Sequence, residues 1–193
     1  AHPQWRVELD TSDQVRDLAS GAADIALRVA PGPPAGQGIV GRRLGSDPWT
    51  IYCSRTYAAA HGTPKTIAQI ADHPLIGGGE PPVWTAYRGF LAAHGLEGAV
   101  TMQHNSSIGL LSAVRAGFGI AVLPCFAAEG EPDLVRCLDP LPSDRSMWLL
   151  APEARRADPK LRALLDFLYE RLMPIMRAVD ALPTAAESPA GQE

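Results

Sequence analysis

Apolar and polar positions alternate at the start of the chain. Trp5, Val7 and Leu9 are interleaved with Arg6 and Glu8, which predicts a strand with one dry face. Thr11 or Ser12 is placed to cap a following helix with Val15, Leu18 and Ala19 on its apolar side and Gly21 at its end. Residues 24–29 are mostly apolar, as in a parallel strand covered on both faces. Together these segments predict a strand–helix–strand unit. The Pro- and Gly-rich stretch 31–36 that follows cannot be helix.

The pattern then predicts strands at 39–44 and 49–54, with Asp47-Pro48 as the turn or bend between them. Short helical pieces are expected at 56–61, ended by Gly62, and at 66–71. A strand at 75–76 precedes a glycine-rich loop at 77–82, and 84–94 is weakly helical. A strand at 100–103 leads into a helix begun by Asn105 or Ser106 and terminated at Gly117. Residues 118–123 form a buried strand closed by Pro124, completing a second β-α-β unit. Gly117 and Gly119 read as a cap and a packing position. Short strands at 134–138 and 147–150 precede a final helix at about 159–172, capped by Asp158, with Leu161, Leu164, Leu165 and Leu168 on one side. The Pro-, Ala- and Ser-rich tail 183–193 is expected to be disordered.

This organisation is α/β, with no internal repeat. The late strand and helix need a partner sheet, and the first unit is the natural one. A chain that leaves one lobe and returns to it makes two lobes with a cleft between.

Composition narrows the function. With 17 Lys plus Arg against 21 Asp plus Glu, the net charge of −4 suits bulk nucleic-acid binding poorly. No apolar run approaches the roughly 18 residues of a membrane span, so no membrane partner is expected. Cys53, Cys125 and Cys137 match neither a disulfide framework nor a zinc site. They fit a reducing compartment, and the expected location is the cytoplasm. No metal, cofactor or catalytic residue is predicted.

The segment with the most chemistry is Asn105-Ser106-Ser107, between a strand and a strong helix. Hydroxyls and backbone N–H groups there suit a carboxylate or other anion. The same residues could do no more than cap the helix. Arg28 interrupts an apolar strand and either pairs with Asp10 or Asp24 or faces a cleft. Cys125 reads as an inert buried thiol, since no neighbouring base is evident.

In this order and spacing, several segments resemble the effector-binding domain of LysR-type transcriptional regulators. They include Ala23 to Arg28, Arg42-Arg43-Leu44-Gly45, Tyr52-Cys53-Ser54 with Tyr57, and His61-Gly62 with Pro64. They continue through Ile70 to Leu75, Asn105-Ser106-Ser107, Ala113 to Pro124, Trp148-Leu149-Leu150 and Leu164 to Leu168. The resemblance implies a two-lobe fold of the type 2 periplasmic-binding kind, joined by two crossover strands. Carried onto this chain, lobe I is 1–47 plus 149–182 and lobe II is 48–148. It implies a small-molecule effector, often a carboxylate or amino acid, in the interlobe cleft. The matching contacts are Asn105, Ser106, Ser107, Pro124 and Cys125 in lobe II, with Arg28 and Val29 in lobe I. It further implies a homodimer or homotetramer, and a winged helix-turn-helix outside this chain that binds DNA. The family's lobe I opens with another strand and helix, which would precede Trp5.

Three rivals share the fold. A transporter's solute receptor would bind ligand tightly as a monomer. An enzyme would need a cleft lysine or an acid–base pair, and the only lysines, Lys65 and Lys160, are not at predicted cleft-facing strand ends. A regulatory domain could also serve oligomerisation alone.

Overall fold

The computed structural model of the chain describes residues 5–12, 14–33, 38–78, 85–141 and 143–184. In chain order the strands and helices are β1 (Ala26–Ala30), β2 (Ile39–Ser46), β3 (Trp49–Ser54), α1 (Arg55–His61), β4 (Leu75–Gly78) and α2 (Thr85–Ala93). They continue with β5 (Val100–His104), α3 (Ser107–Arg115), β6 (Ile120–Pro124), α4 (Cys125–Ala128), β7 (Leu134–Arg136), β8 (Ser146–Pro152) and α5 (Pro159–Asp180). The expected tail lies outside the described residues from 185 onward.

Two sheets form the α/β, two-lobe framework. One is antiparallel, in the order β1-β8-β2, and the other is mixed, in the order β5-β4-β6-β3-β7. In the larger sheet β4 runs parallel to both β5 and β6, and β3 runs antiparallel to β6 and β7. The chain passes from the first sheet to the second between Ser46 and Trp49, and returns between Arg136 and Ser146.

The central β-α-β unit forms as its pattern dictates. β6 is buried from Ile120 to Leu123, so its apolar run needs cover on both faces. Ser106 caps α3, its Oγ accepting from the Gly109 N–H at 3.3 Å. At the other end Gly117, with φ +81°, donates to Val114 O, and Phe118 N–H donates to Ala113 O. That paired return is a Schellman ending, which glycine adopts without strain. β4 extends through Gly77 and Gly78, where loop was expected. A side chain at Gly77 would press on Val100 Cγ1 at 2.9 Å, so a glycine-rich segment is what lets β4 pack there.

The opening unit does not form. Residues 5–17 carry neither strand nor helix among those described, and only a turn follows at 18–21. Val7, Leu9 and Val15 are 64%, 81% and 73% exposed. Alternation can specify a strand only where a neighbour accepts its hydrogen bonds, and among the described residues β1 pairs with β8 alone. β1 is also antiparallel and half-exposed, not a parallel strand covered on both faces.

α5 runs past its expected end to Asp180, through Pro174. Burial of Met176 and Val179 favours this against the local cost of an internal proline. The helix packs on β2 so closely that a side chain at Gly45 would meet Met176 Cβ at 3.0 Å. Met176 belongs to the smaller core with Leu44, Met147 and Leu149, whereas Val179 joins the larger core around β3, β4 and β6. One helix thus ties both cores together.

Candidate functional site

Strand direction decides where the expected residues fall. Leu75 of β4 is level with both Val100 of β5 and Ile120 of β6, and all three strands point the same way. His104, followed by Asn105-Ser106-Ser107, and Pro124, followed by Cys125, therefore emerge at one end of the larger sheet. Trp49 pairs with Pro124, so the first crossing enters at that same end. In the smaller sheet Ala30 and Ser46 both pair with Ser146, so β1 and β2 finish where the crossings begin. Arg28 and Val29 lie within two residues of that finish, opposite Trp148 and Met147. Both sheets thus present their expected residues toward the two crossings.

The individual side chains differ in availability. Asn105 and Ser107 are exposed, and Ser106 is half-buried at the cap. His104 packs against Gly109, where a side chain would meet its Nδ1 at 2.7 Å. Arg28 is half-buried and donates to the Arg16 carbonyl, so it pairs with neither aspartate that its sequence suggested. Those carboxylates are held elsewhere, Asp10 by Arg16 and Asp24 by Arg155. Cys125 is fully buried, and its N–H donates to Pro48 O at 3.0 Å. Burial pushes its thiol up to about 11, as expected of an unreactive cysteine.

Sequence reasoning missed the group at the crossings themselves. Asp47, read as a turn residue, is fully buried. Its Oδ2 accepts from Trp49 Nε1 at 2.6 Å, and its N–H donates to Arg145 O at 3.0 Å. Its Oδ1 has no partner among the described residues. Burial raises its carboxyl above the ordinary value, against the opposing pull of Trp49 and Arg145. Arg145 Nε and Trp148 Nε1 are likewise buried without a hydrogen-bond partner among the described residues. An Asp-Pro pair between two strands reads the same whether it turns in water or is buried at a junction. Only the return of the chain to Ser146 shows which.

The surroundings brace this region. Ser46 donates through both its N–H and its hydroxyl to Asp180 Oδ1 at the end of α5. Arg43 Nε donates to Ser146 Oγ at 2.9 Å, and the buried Thr50 hydroxyl donates to Leu138 O at 3.0 Å. No group of three or more His, Cys, Asp or Glu suited to a metal occurs among the described residues. No helix among them is long and apolar enough to cross a membrane.

Comparison with known proteins gives a consistent result. The family model described as the LysR substrate binding domain matches residues 1–173. The HTH-type transcriptional regulator CrgA of Neisseria meningitidis serogroup C is 30% identical over 178 residues, which cover 89% of this chain and 58% of that protein. The chain therefore spans little more than half the length of that relative. The solved CrgA regulatory domain superposes with a TM-score of 0.58 at 25% identity, covering 80% of this chain and 78% of that one. The effector domain of AmpR from Pseudomonas aeruginosa superposes with a TM-score of 0.62 at 25% identity, covering 92% and 86%.

Proposed function

The chain belongs to the LysR substrate-binding domain family, and from that premise we propose that it senses a small-molecule effector held between its lobes. The observation that carries this reading lies at the first crossing, where the fully buried Asp47 leaves Oδ1 without a hydrogen-bond partner among the described residues, beside Arg145, whose buried Nε has none either. Buried polar groups are nearly always paired, so two such orphans side by side mark a place built to meet something polar. Asn105, Ser106, Ser107, Pro124 and Cys125 would contact the effector from lobe II (48–148), and Arg28 and Val29 from lobe I (1–47 plus 149–182). An effector with a carboxylate suits the first turn of α3, where backbone N–H groups and the helix dipole favour an anion.

Such a ligand acts by linkage. If it contacts both lobes better in one arrangement than in another, it shifts that equilibrium by its difference in affinity. A winged helix-turn-helix outside this chain, in a homodimer or homotetramer, would carry the shift to DNA. The sensing step itself involves no bond making.

Thermal melting against a panel of small carboxylic acids, amino acids, aromatics and sugars tests the reading. At a hundred times its dissociation constant a ligand adds about 2.7 kcal/mol of stability. In a domain of this size that is a rise of roughly 5–10 °C in Tm. Ser106→Leu should abolish the rise while the unliganded protein stays folded. A folded protein unmoved by every compound would favour a domain that serves oligomerisation alone.

A further inference from the structure

Two of the three cysteines lie side by side in the larger sheet. Cys53 of β3 is opposite Val135, and Cys137, directly after β7, donates its N–H to Ile51 O at 2.9 Å. The two are therefore diagonal neighbours on one face of an antiparallel pair. Their sulfurs are 3.6 Å apart, with the Cys137 S–H donating to Cys53. Both thiols are free, and Cys53 is fully buried while Cys137 is 8% exposed.

We propose that Cys53 and Cys137 form a site of reversible oxidation, closing to an intramolecular disulfide when the protein meets a peroxide. The proposal is independent of the effector site.

Three features support it. A disulfide needs its sulfurs about 2.05 Å apart, so these must close by roughly 1.5 Å. β7 is the outermost strand of its sheet and, among the described residues, pairs with β3 alone, so the chain at Cys137 is held by a neighbouring strand on one side only. The two thiols are also unlike. The hydrogen bond from Cys137 holds the Cys53 thiol below its ordinary value, with burial opposing and Lys65 assisting. The Cys137 thiol is pushed up, by its bond to Cys53 and by burial. Cys53 is thus the attacking sulfur and Cys137 the resolving one. Finally, a cavity of about 230 Å³ is lined by Ile51, whose carbonyl accepts the Cys137 N–H, by Leu138, next to Cys137, and by Lys65. A small oxidant would approach the pair from this side.

The chemistry balances with one peroxide. The Cys53 thiolate attacks one peroxide oxygen, the O–O bond breaks, and water leaves after taking up a proton. Cys53 is then a sulfenic acid. The Cys137 sulfur displaces its hydroxyl as a second water, forming the S–S bond. Two thiols lose two electrons and one peroxide gains them. The bond would join β3, which begins at the first crossing, to the start of the return crossing, and so fix both connections between the lobes. Cys125 takes no part, because its sulfur keeps company with the Tyr52 hydroxyl and not with a thiol.

The test is a thiol map of the intact chain. The folded protein is treated with hydrogen peroxide, quenched with catalase, blocked with N-ethylmaleimide in denaturant and digested without reduction. Blockable thiols should fall from three to one, leaving Cys125. A single cross-linked peptide should join Cys53 to Cys137, lighter by two hydrogens and restored by dithiothreitol. Cys125→Ser should leave the link intact and Cys137→Ser should remove it. The wild-type map decides the matter even if Cys137→Ser misfolds. Three blockable thiols at a peroxide dose that oxidises a control thiol would overturn the proposal. So would a link between separate chains, or sulfinic acid at Cys53 with Cys137 untouched.

Discussion

At the scale of single residues, two positions carry consequences out of proportion to their size. Gly119 stands where β6 meets the turn before β4, and an added Cβ would overlap the Pro74 carbonyl oxygen that accepts the Ile120 N–H at 2.9 Å. Backbone on both sides leaves nothing flexible to give way. Gly119→Ala should therefore destabilise by about 1–3 kcal/mol or more, read as a lower midpoint in urea. Asp47 has the opposite character. Its carboxyl is raised above the ordinary 3.8 by burial, so the folded state favours the protonated form. The stability it confers is full below that ordinary value and is lost as pH rises through the raised one. Asp47→Asn keeps an oxygen for Trp49 Nε1 and removes the buried charge. The variant should melt higher than wild type at neutral pH, with the gap closing as the pH falls toward 4. A gap that widens on acidification would show that the charge is stabilised, not burdened, where it lies.

Elements show where sequence reading succeeds and where it stops. α3 and β6 were legible because cap, apolar face, terminator and strand all follow one another locally, from Ser106 to Pro124. Trp5, Val7 and Leu9 carried an equally clean alternation and formed no strand, since a strand needs a neighbour that periodicity cannot supply. The cap at Ser106 was legible for the same local reason as α3. Asp47 and Arg145 were not, because they meet only through the chain's return across a long separation. α5 is the instructive mixture. Its start at Asp158-Pro159 follows local rules, while its last turns follow packing. Two substitutions separate these influences. Met176→Ala removes a side chain that is 1% exposed and should cost about 2–5 kcal/mol. Pro174→Ala lies on the exposed side and restores an N–H to the helix, so its Tm should rise. A loss at Pro174→Ala would mean that the bend it imposes is needed to bring Val179 onto the larger core.

For the whole molecule, the unequal sheets define how it should meet a second copy of itself. The five-stranded sheet is covered by helices and holds the larger core. The three-stranded sheet ends in β1, whose outer side is unpaired among the described residues and which carries Leu27 at 48% exposure. Val7, Leu9 and Val15 add exposed apolar surface from the neighbouring part of the chain. An open edge with apolar residues beside it favours association, because pairing satisfies backbone groups and buries hydrocarbon together. If this edge is available, two copies of the chain can pair along it, and the concentration dependence of sedimentation measures that. The wild-type chain should shift from monomer to dimer as concentration rises. Leu27→Lys places a charge on the edge and should hold the protein monomeric over the same range, with its Tm in dilute solution unchanged. A wild-type chain that stays monomeric throughout would place the subunit contact elsewhere. Equal association by both proteins would do the same, since a charge at this position disfavours burying the edge against another strand.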